Sequence, residues 1–176
     1  MPDQLISVDE LAAALSGDAA PRLLDVRWSL GGPRGVDEFA RGHIPGAVYV
    51  DLDEELASHG PATDGRHPLP SASDLERSAR AWGVNDGDTL VVYDDTAGQS
   101  AARAWWLLRH AGVSDVRLLD GGWSAWTAAG LPTSTDVAAP PPGDVKGFRS
   151  ANCLSTAEMA VDPRRVELTA DRQSRN

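Results

Sequence analysis

The stretch that most constrains the fold runs from Leu90 to Arg109, LVVYDDTAGQSAARAWWLLR. Leu90, Val91, Val92 and Tyr93 form a short apolar, β-favouring run, the pattern of a strand buried on both faces of a parallel sheet. From Ala101 the period changes. Ala102, Trp105, Trp106 and Arg109 recur at helical spacing, with Ala101, Ala104, Leu107 and Leu108 filling the turns. Between strand and helix lie Asp94, Asp95, Thr96, Ala97, Gly98, Gln99 and Ser100. A short loop here aims its N–H groups into a cup at the helix N-terminus. Such a cup binds anions, because the first N–H groups lack helical partners and the dipole is positive there. It also lies beyond the carboxyl end of a strand, where open α/β sheets bind ligands. The same residues equally describe an ordinary βα turn in which Asp and Ser cap the helix.

Strand and helix alternate around this unit. Ser7-Val8-Asp9-Glu10 has capping-box spacing, Leu11, Ala12, Ala14 and Leu15 supply an apolar face, and Gly17 stops the helix. Arg22 to Arg27 reads as a short strand whose far end carries an acid, Asp25, and a base, Arg27. After a Gly-rich loop from Ser29 to Gly35, Asp37 to Arg41 makes a helical turn stopped by Gly42. The turn His43-Ile44-Pro45-Gly46-Ala47 feeds a second strand at Val48 to Val50. Residues 51–70 are polar and broken by Pro and Gly, so they read as loop. Ser73-Asp74-Leu75-Glu76 is a second capping box, opening a helix through Trp82. Val116 to Leu119 is a fourth strand, and Asp120-Gly121-Gly122 turns into a helix from Trp123 to Ala129. The alternation predicts an α/β fold, a parallel sheet with helices on both faces.

This domain is expected over residues 1–133, followed by a Pro- and Gly-rich linker over 134–150. Residues 151–176 have two readings. Ser155-Thr156-Ala157-Glu158-Met159 repeats the pattern of Ser7-Val8-Asp9-Glu10-Leu11, so a second copy of the fold could begin here. A plain amphipathic C-terminal helix and tail is the alternative.

A formal net charge of −10 argues against a nucleic-acid or anionic-membrane surface, while leaving room for a local basic pocket. No apolar run approaches a membrane span. The N-terminus lacks a basic segment and is interrupted by acids, unlike a signal peptide. A cytoplasmic location is therefore expected. The single cysteine, Cys153, excludes an intramolecular disulfide framework, and the four histidines are not spaced as a ligand pair. No metal and no cofactor are expected.

Several stretches, taken in order, resemble the rhodanese family of sulfurtransferases. They are Leu24-Asp25-Val26-Arg27, then Phe39 with Gly42-His43-Ile44-Pro45-Gly46-Ala47, then Gly65-Arg66-His67-Pro68-Leu69-Pro70. The central unit follows, and then Leu119-Asp120-Gly121-Gly122-Trp123 with Trp126. The resemblance spans about residues 5–133. The HPLP stretch and the paired Trp105-Trp106 look more like the N-terminal half of the two-domain members, the thiosulfate and 3-mercaptopyruvate sulfurtransferases. The resemblance implies a rhodanese-like α/β fold and, for the family, transfer of sulfane sulfur from a small anionic donor through a cysteine persulfide.

That chemistry needs a thiolate at the start of the central loop, with the loop N–H groups stabilising the thiolate, the persulfide and the donor. Here the loop holds no cysteine. Counting back from Gly98 puts Asp95 at the family's cysteine position, and counting on from the strand puts Asp94 there. Gln99 and Ser100 stand where the family often has Arg or Lys. The departure fits the two-domain members, whose N-terminal domain is generally non-catalytic. The chain is thus expected to be such a half, cut off soon after a second domain begins, and inactive by itself. Thr96, Ala97, Gly98, Gln99, Ser100 and Arg66 are the expected substrate-binding residues. Arg66 and His67 could hold an anion against a partner domain, or belong equally to a solvated loop whose shape the prolines fix. The expected partners are a second rhodanese domain or another copy of the chain. Cys153 precedes the second capping box rather than following a strand, so it is not expected to be the nucleophile. Asp25 with Arg27, and His43, read as structural. Trp105, Trp106, Trp123 and Trp126 read as core or interface filling. A stand-alone binding module with an acidic loop is the alternative function. Cysteine phosphatases of the related fold need Cys and Arg at the loop ends, and Asp94-Asp95-Thr96 lacks the Asp-x-Asp-x-Thr spacing of an aspartyl phosphatase.

Overall fold

The computed structural model describes residues 4–17, 19–137 and 139–149. Cys153 and the repeat beginning at Ser155 lie outside the described residues. Five strands form one parallel sheet in the order β1-β5-β4-β2-β3. They are β1 (Leu5–Ile6), β2 (Arg22–Asp25), β3 (Val48–Tyr49), β4 (Leu90–Tyr93) and β5 (Val116–Leu119). The central strand β4 is buried along its whole length, as its continuous apolar run predicts. It pairs Leu90 with Arg22 and Tyr93 with Asp25 on one side, and Leu90 with Val116 on the other.

Strand alternation divides the core into two layers. Leu90 and Val92, with Leu24, face α3 (Leu52–Glu55), α4 (Ala72–Ala81) and α5 (Gln99–Ala111). Val91 and Tyr93, with Leu23, face α1 (Val8–Leu15), α2 (Gly35–Arg41) and α6 (Gly122–Ala128). Helices therefore cover both faces. The capping box of α1 is formed: Glu10 N–H donates to the Ser7 hydroxyl, and Ser7 N–H donates to the Glu10 carboxylate. In α4 the cap is Ser71 rather than Ser73. Its hydroxyl accepts from Asp74 N–H, because two serines offer the same chemistry two residues apart.

Three elements go beyond the sequence reading, one of them a 3₁₀ turn at Ala62–Asp64. β1 is a fifth strand of two residues, pairing Leu5 with Leu118. Residues 51–70 contain α3, a single turn capped by the Asp51 carboxylate on Asp53 and Glu54 N–H. The stretch read as a linker is fastened to the domain over 139–149. Val145 is buried in the core beside α4 and α5. Gly143 N–H donates to Arg80 O, Val145 N–H to Val84 O, and Arg149 N–H to Ala111 O. Gly143 packs so closely that a Cβ would lie 1.9 Å from the Val84 carbonyl oxygen.

Candidate functional site

The loop after β4 folds around one side chain. Asp94 is 1% exposed and stands at the strand's end. Its Oδ1 accepts from Thr96 N–H at 2.9 Å and Gly98 N–H at 2.8 Å. Its Oδ2 accepts from Ser100 N–H at 2.8 Å and Ala101 N–H at 2.9 Å. The loop reaches this geometry through two consecutive left-handed residues, Ala97 at φ 56 and Gly98 at φ 83. Gly98 takes the position at no steric cost, and Ala97 takes it under strain. Gly98 is the N-cap of α5 and its side chain can cap nothing. The Asp94 carboxylate does so from four residues upstream, meeting the positive end of the helix dipole. The N–H groups that could have formed an anion cup are taken by the chain's own carboxylate, the arrangement of a βα turn in which an Asp caps the helix.

Asp95 points the other way. It is exposed, and its Oδ1 accepts from the Ser124 hydroxyl at 2.6 Å. The loop's outer side, through Asp95 and Thr96, borders a cleft of about 200 Å³ shared with Arg27, Trp28, Pro33 and Glu38. The next turn closes the back of the loop. Trp123 N–H donates to Asp94 O, and Gly122, at φ 55, comes so near that a Cβ would lie 2.3 Å from that oxygen. Glycine is required there by both conformation and space.

Asp25 and Arg27 pair with each other. Arg27 Nε lies 3.0 Å from both Asp25 oxygens, and its Nη2 donates to Gly42 O at 2.7 Å. The Arg27 guanidinium also sits over Trp123, 4.8 Å from the ring centroid. Burial outweighs this cation and holds the Asp25 carboxyl above its ordinary value. His43 is buried, bonded through Nδ1 to Phe39 O at 2.9 Å and stacked on the Phe39 ring. Trp126 is buried and Trp105 donates to Val116 O, whereas Trp106 is 40% exposed and stacked on His110.

A second cluster forms on the same end of the sheet. His67 Nε2 lies 2.7 Å from Asp53 Oδ1, and Trp28 Nε1 donates to Asp53 Oδ2 at 2.8 Å. The contact with Asp53 fixes the orientation of the imidazole. The exposed Arg66 guanidinium is 6.0 Å from the Trp28 ring centroid. Trp28 joins this cluster to the cleft beside Asp95. The loop carrying His67 is held by Arg103 of α5, which donates to Leu56 O, His67 O and Pro68 O at 2.9, 2.9 and 3.1 Å. Desolvation lowers the Arg103 pKa. Thus Thr96, Gly98 and Ser100 turn their N–H groups inward to Asp94, while Arg66 stands apart beside Trp28. Asp53, Trp28 and Arg103 escaped the sequence reading. An Asp51 cap followed by acids was the available signal for a helix at Asp53.

Residues 7–129 match the family described as rhodanese-like domain. The chain belongs to this family. A Mycobacterium tuberculosis protein, SseB, named as a thiosulfate sulfurtransferase, is 44% identical over 141 residues, covering 80% of this chain and 50% of that protein. Human 3-mercaptopyruvate sulfurtransferase is 35% identical over 161 residues, 88% of this chain and 53% of that protein. The crystal structure of Escherichia coli SseA, a 3-mercaptopyruvate sulfurtransferase, superposes with a TM-score of 0.74 at 31% identity, covering 96% of this chain and 62% of that one. The chain spans about half the length of the curated relatives it matches. Its fold is the rhodanese fold of these sulfurtransferase relatives. Among the described residues no group of His, Cys, Asp and Glu is arranged to hold a metal ion, and no helix is long and apolar enough to cross a membrane.

Proposed function

We propose that this chain is the non-catalytic half of a thiosulfate- or 3-mercaptopyruvate-type sulfurtransferase, working beside a second rhodanese domain that supplies the cysteine. The observation that carries this reading is the Asp94 carboxylate bound by four backbone N–H groups. Sulfur transfer needs a thiolate there. The thiolate attacks the donor's transferable sulfur and a persulfide S–S bond forms, as thiosulfate's S–S bond breaks to release sulfite, or as mercaptopyruvate's C–S bond breaks and the departing carbon takes up the thiol's proton to become pyruvate. A nucleophilic acceptor such as cyanide then takes that sulfur and restores the thiolate. A carboxylate cannot hold sulfane sulfur in this way. It also occupies the donors that would stabilise an incoming anion, and its charge repels one. Asp94, rather than Asp95, is in this reading the residue standing in for the cysteine.

The residues left to work are on the rim. Arg66 and the Asp53–His67 pair put a guanidinium and an oriented imidazole on the same end as the cup. A domain packed against this end would meet a cation for an anionic donor and an imidazole oriented by Asp53. The test is thiocyanate formation from thiosulfate and cyanide, by this chain and by Asp94→Cys, Asp95→Cys and Cys153→Ala variants. The native chain should give none above blank. The thiol of Asp94→Cys should ionise at lower pH than that of Asp95→Cys, read from thiolate absorbance in a Cys153→Ala background. Activity of the native chain that disappears in Cys153→Ala would overturn the proposal.

A further inference from the structure

His67 and Asp53 meet at 2.7 Å, yet both reach the surface, with side chains 22% and 49% exposed. A pair this open to water contributes little and holds no single geometry by itself, because each side chain has other rotamers to visit. Asp53 lies in α3, a single turn, and His67 in irregular backbone. The orientation of the pair therefore needs a third group with a firmer seat.

Trp28 has that seat. Past the end of β2 the side chains keep alternating: Leu24, Val26 and Trp28 fall on the side of α3, α4 and α5, while Arg27 reaches Trp123 on the other. Leu24 and Val26 belong to the core there, and the partly buried Trp28 packs against it. Its indole then touches all three members of the rim. Nε1–H donates to Asp53 Oδ2 at 2.8 Å, which leaves Oδ1 for His67. The ring meets the imidazole edge to face, with centroids 5.4 Å apart and planes at 86°. Arg66 lies 6.0 Å from the ring centroid. A hydrogen bond to a carboxylate is strong and directional, and edge-to-face is a favoured aromatic geometry.

We propose that Trp28 is a positioning residue: seated on the core, it fixes the Asp53 carboxylate and through it the His67 imidazole. The proposal rests on the reading of this rim as the face that a second rhodanese domain meets. Arg103 settles where the loop backbone lies, by bonding His67 O and Pro68 O. Trp28 settles which way the imidazole faces. Its own atoms take no part in the reaction.

The first arm of the test is NMR on this chain, reading carbon relaxation of the His67 ring and solvent exchange of the Trp28 indole N–H. The native protein should show a restricted imidazole and a slowly exchanging N–H. Trp28→Phe keeps a ring, removes the donor and should free the imidazole. Asp53→Ala leaves the indole in its packing and should free the imidazole and the indole N–H together. An imidazole as mobile in the native chain as in these variants would overturn the proposal whatever the partner domain does. The second arm is sulfur transfer from 3-mercaptopyruvate and from thiosulfate to cyanide, by the intact protein with its proposed second domain. His67→Asn should lower kcat about a hundredfold, and Trp28→Phe about tenfold with KM within about twofold. In a His67→Asn background Trp28→Phe should lower kcat no further, because it acts through that imidazole. Additive losses would mark a merely structural role and overturn the proposal. Full turnover by His67→Asn, with the imidazole still released in Trp28→Phe, would show that the rim does no work, and the proposal would fall with that reading.

Discussion

Replacing Asp94 with alanine removes the centre of the loop. Four N–H groups lose a charged acceptor at 2.8–2.9 Å. Hydrogen bonds to charged groups contribute about 1.5–3 kcal/mol each. The Thr96 and Gly98 bonds are partly open, so water can take over there. Ser100 and Ala101 are 4% and 1% exposed, and water cannot follow. These two bonds alone set a loss of about 3–6 kcal/mol. Relief of the carboxylate's desolvation pulls the result toward the lower figure. About 3 kcal/mol is a large share of a domain stability of roughly 5–15 kcal/mol. Urea denaturation should show a lower midpoint with an unchanged slope, and Asp94→Asn should lose about half as much, since its amide keeps one acceptor. A loss below about 1 kcal/mol, in the range of an ordinary substitution, would refute the account of the loop.

Arg103→Met should cost about 2 kcal/mol and, in hydrogen exchange, release residues 56–68 before the sheet; uniform loss of protection would contradict the clamp. Gly143→Ala should cost about 1–3 kcal/mol through the approach to Val84 O, and an unchanged melting temperature would show that 139–149 does not bind the core. Arg117 and Thr89 hold the Asp115 carboxyl below its ordinary 3.8. A lowered folded pKa gives stability that is present above the unfolded value and lost as pH falls through the folded one. The urea midpoint of the native chain should therefore exceed that of Asp115→Asn at pH 7, with the gap closing toward pH 3; a constant gap would count against the pairing.

Long, strongly patterned stretches were legible in the sequence. β4 and α5 announce themselves by a change of period from a continuous apolar run to helical spacing, and the Gly121-Gly122 turn by its glycines. β1 was not legible, because two residues carry no period. α3 hid among acids whose capping role shows only once Asp51 is seen to turn back on its neighbours. Val145 sits in a Pro- and Gly-rich stretch whose composition describes a linker, yet one buried valine and three backbone bonds tie it down. At the site, spacing could not choose between Asp94 and Asp95, since a loop one residue longer or shorter exchanges them. The fold separates them completely, one buried at the helix end and one in solvent. The Asp53–His67 pair joins positions 14 residues apart across irregular backbone, where no periodicity operates.

The strap over 139–149 sets a route for any chain that continues. α5 begins at the cup and ends at Ala111, and Arg149 is tied to Ala111 O. The strap therefore finishes at the far end of the helix. Thirteen residues at 1.5 Å each make that helix about 20 Å long. A following domain that meets the rim of Arg66 and His67 must first be carried back over this distance. At about 3.3 Å per extended residue, at least six residues are committed to the return. In the proposed two-domain arrangement, shortening that passage would hold the domains apart even with every site residue intact.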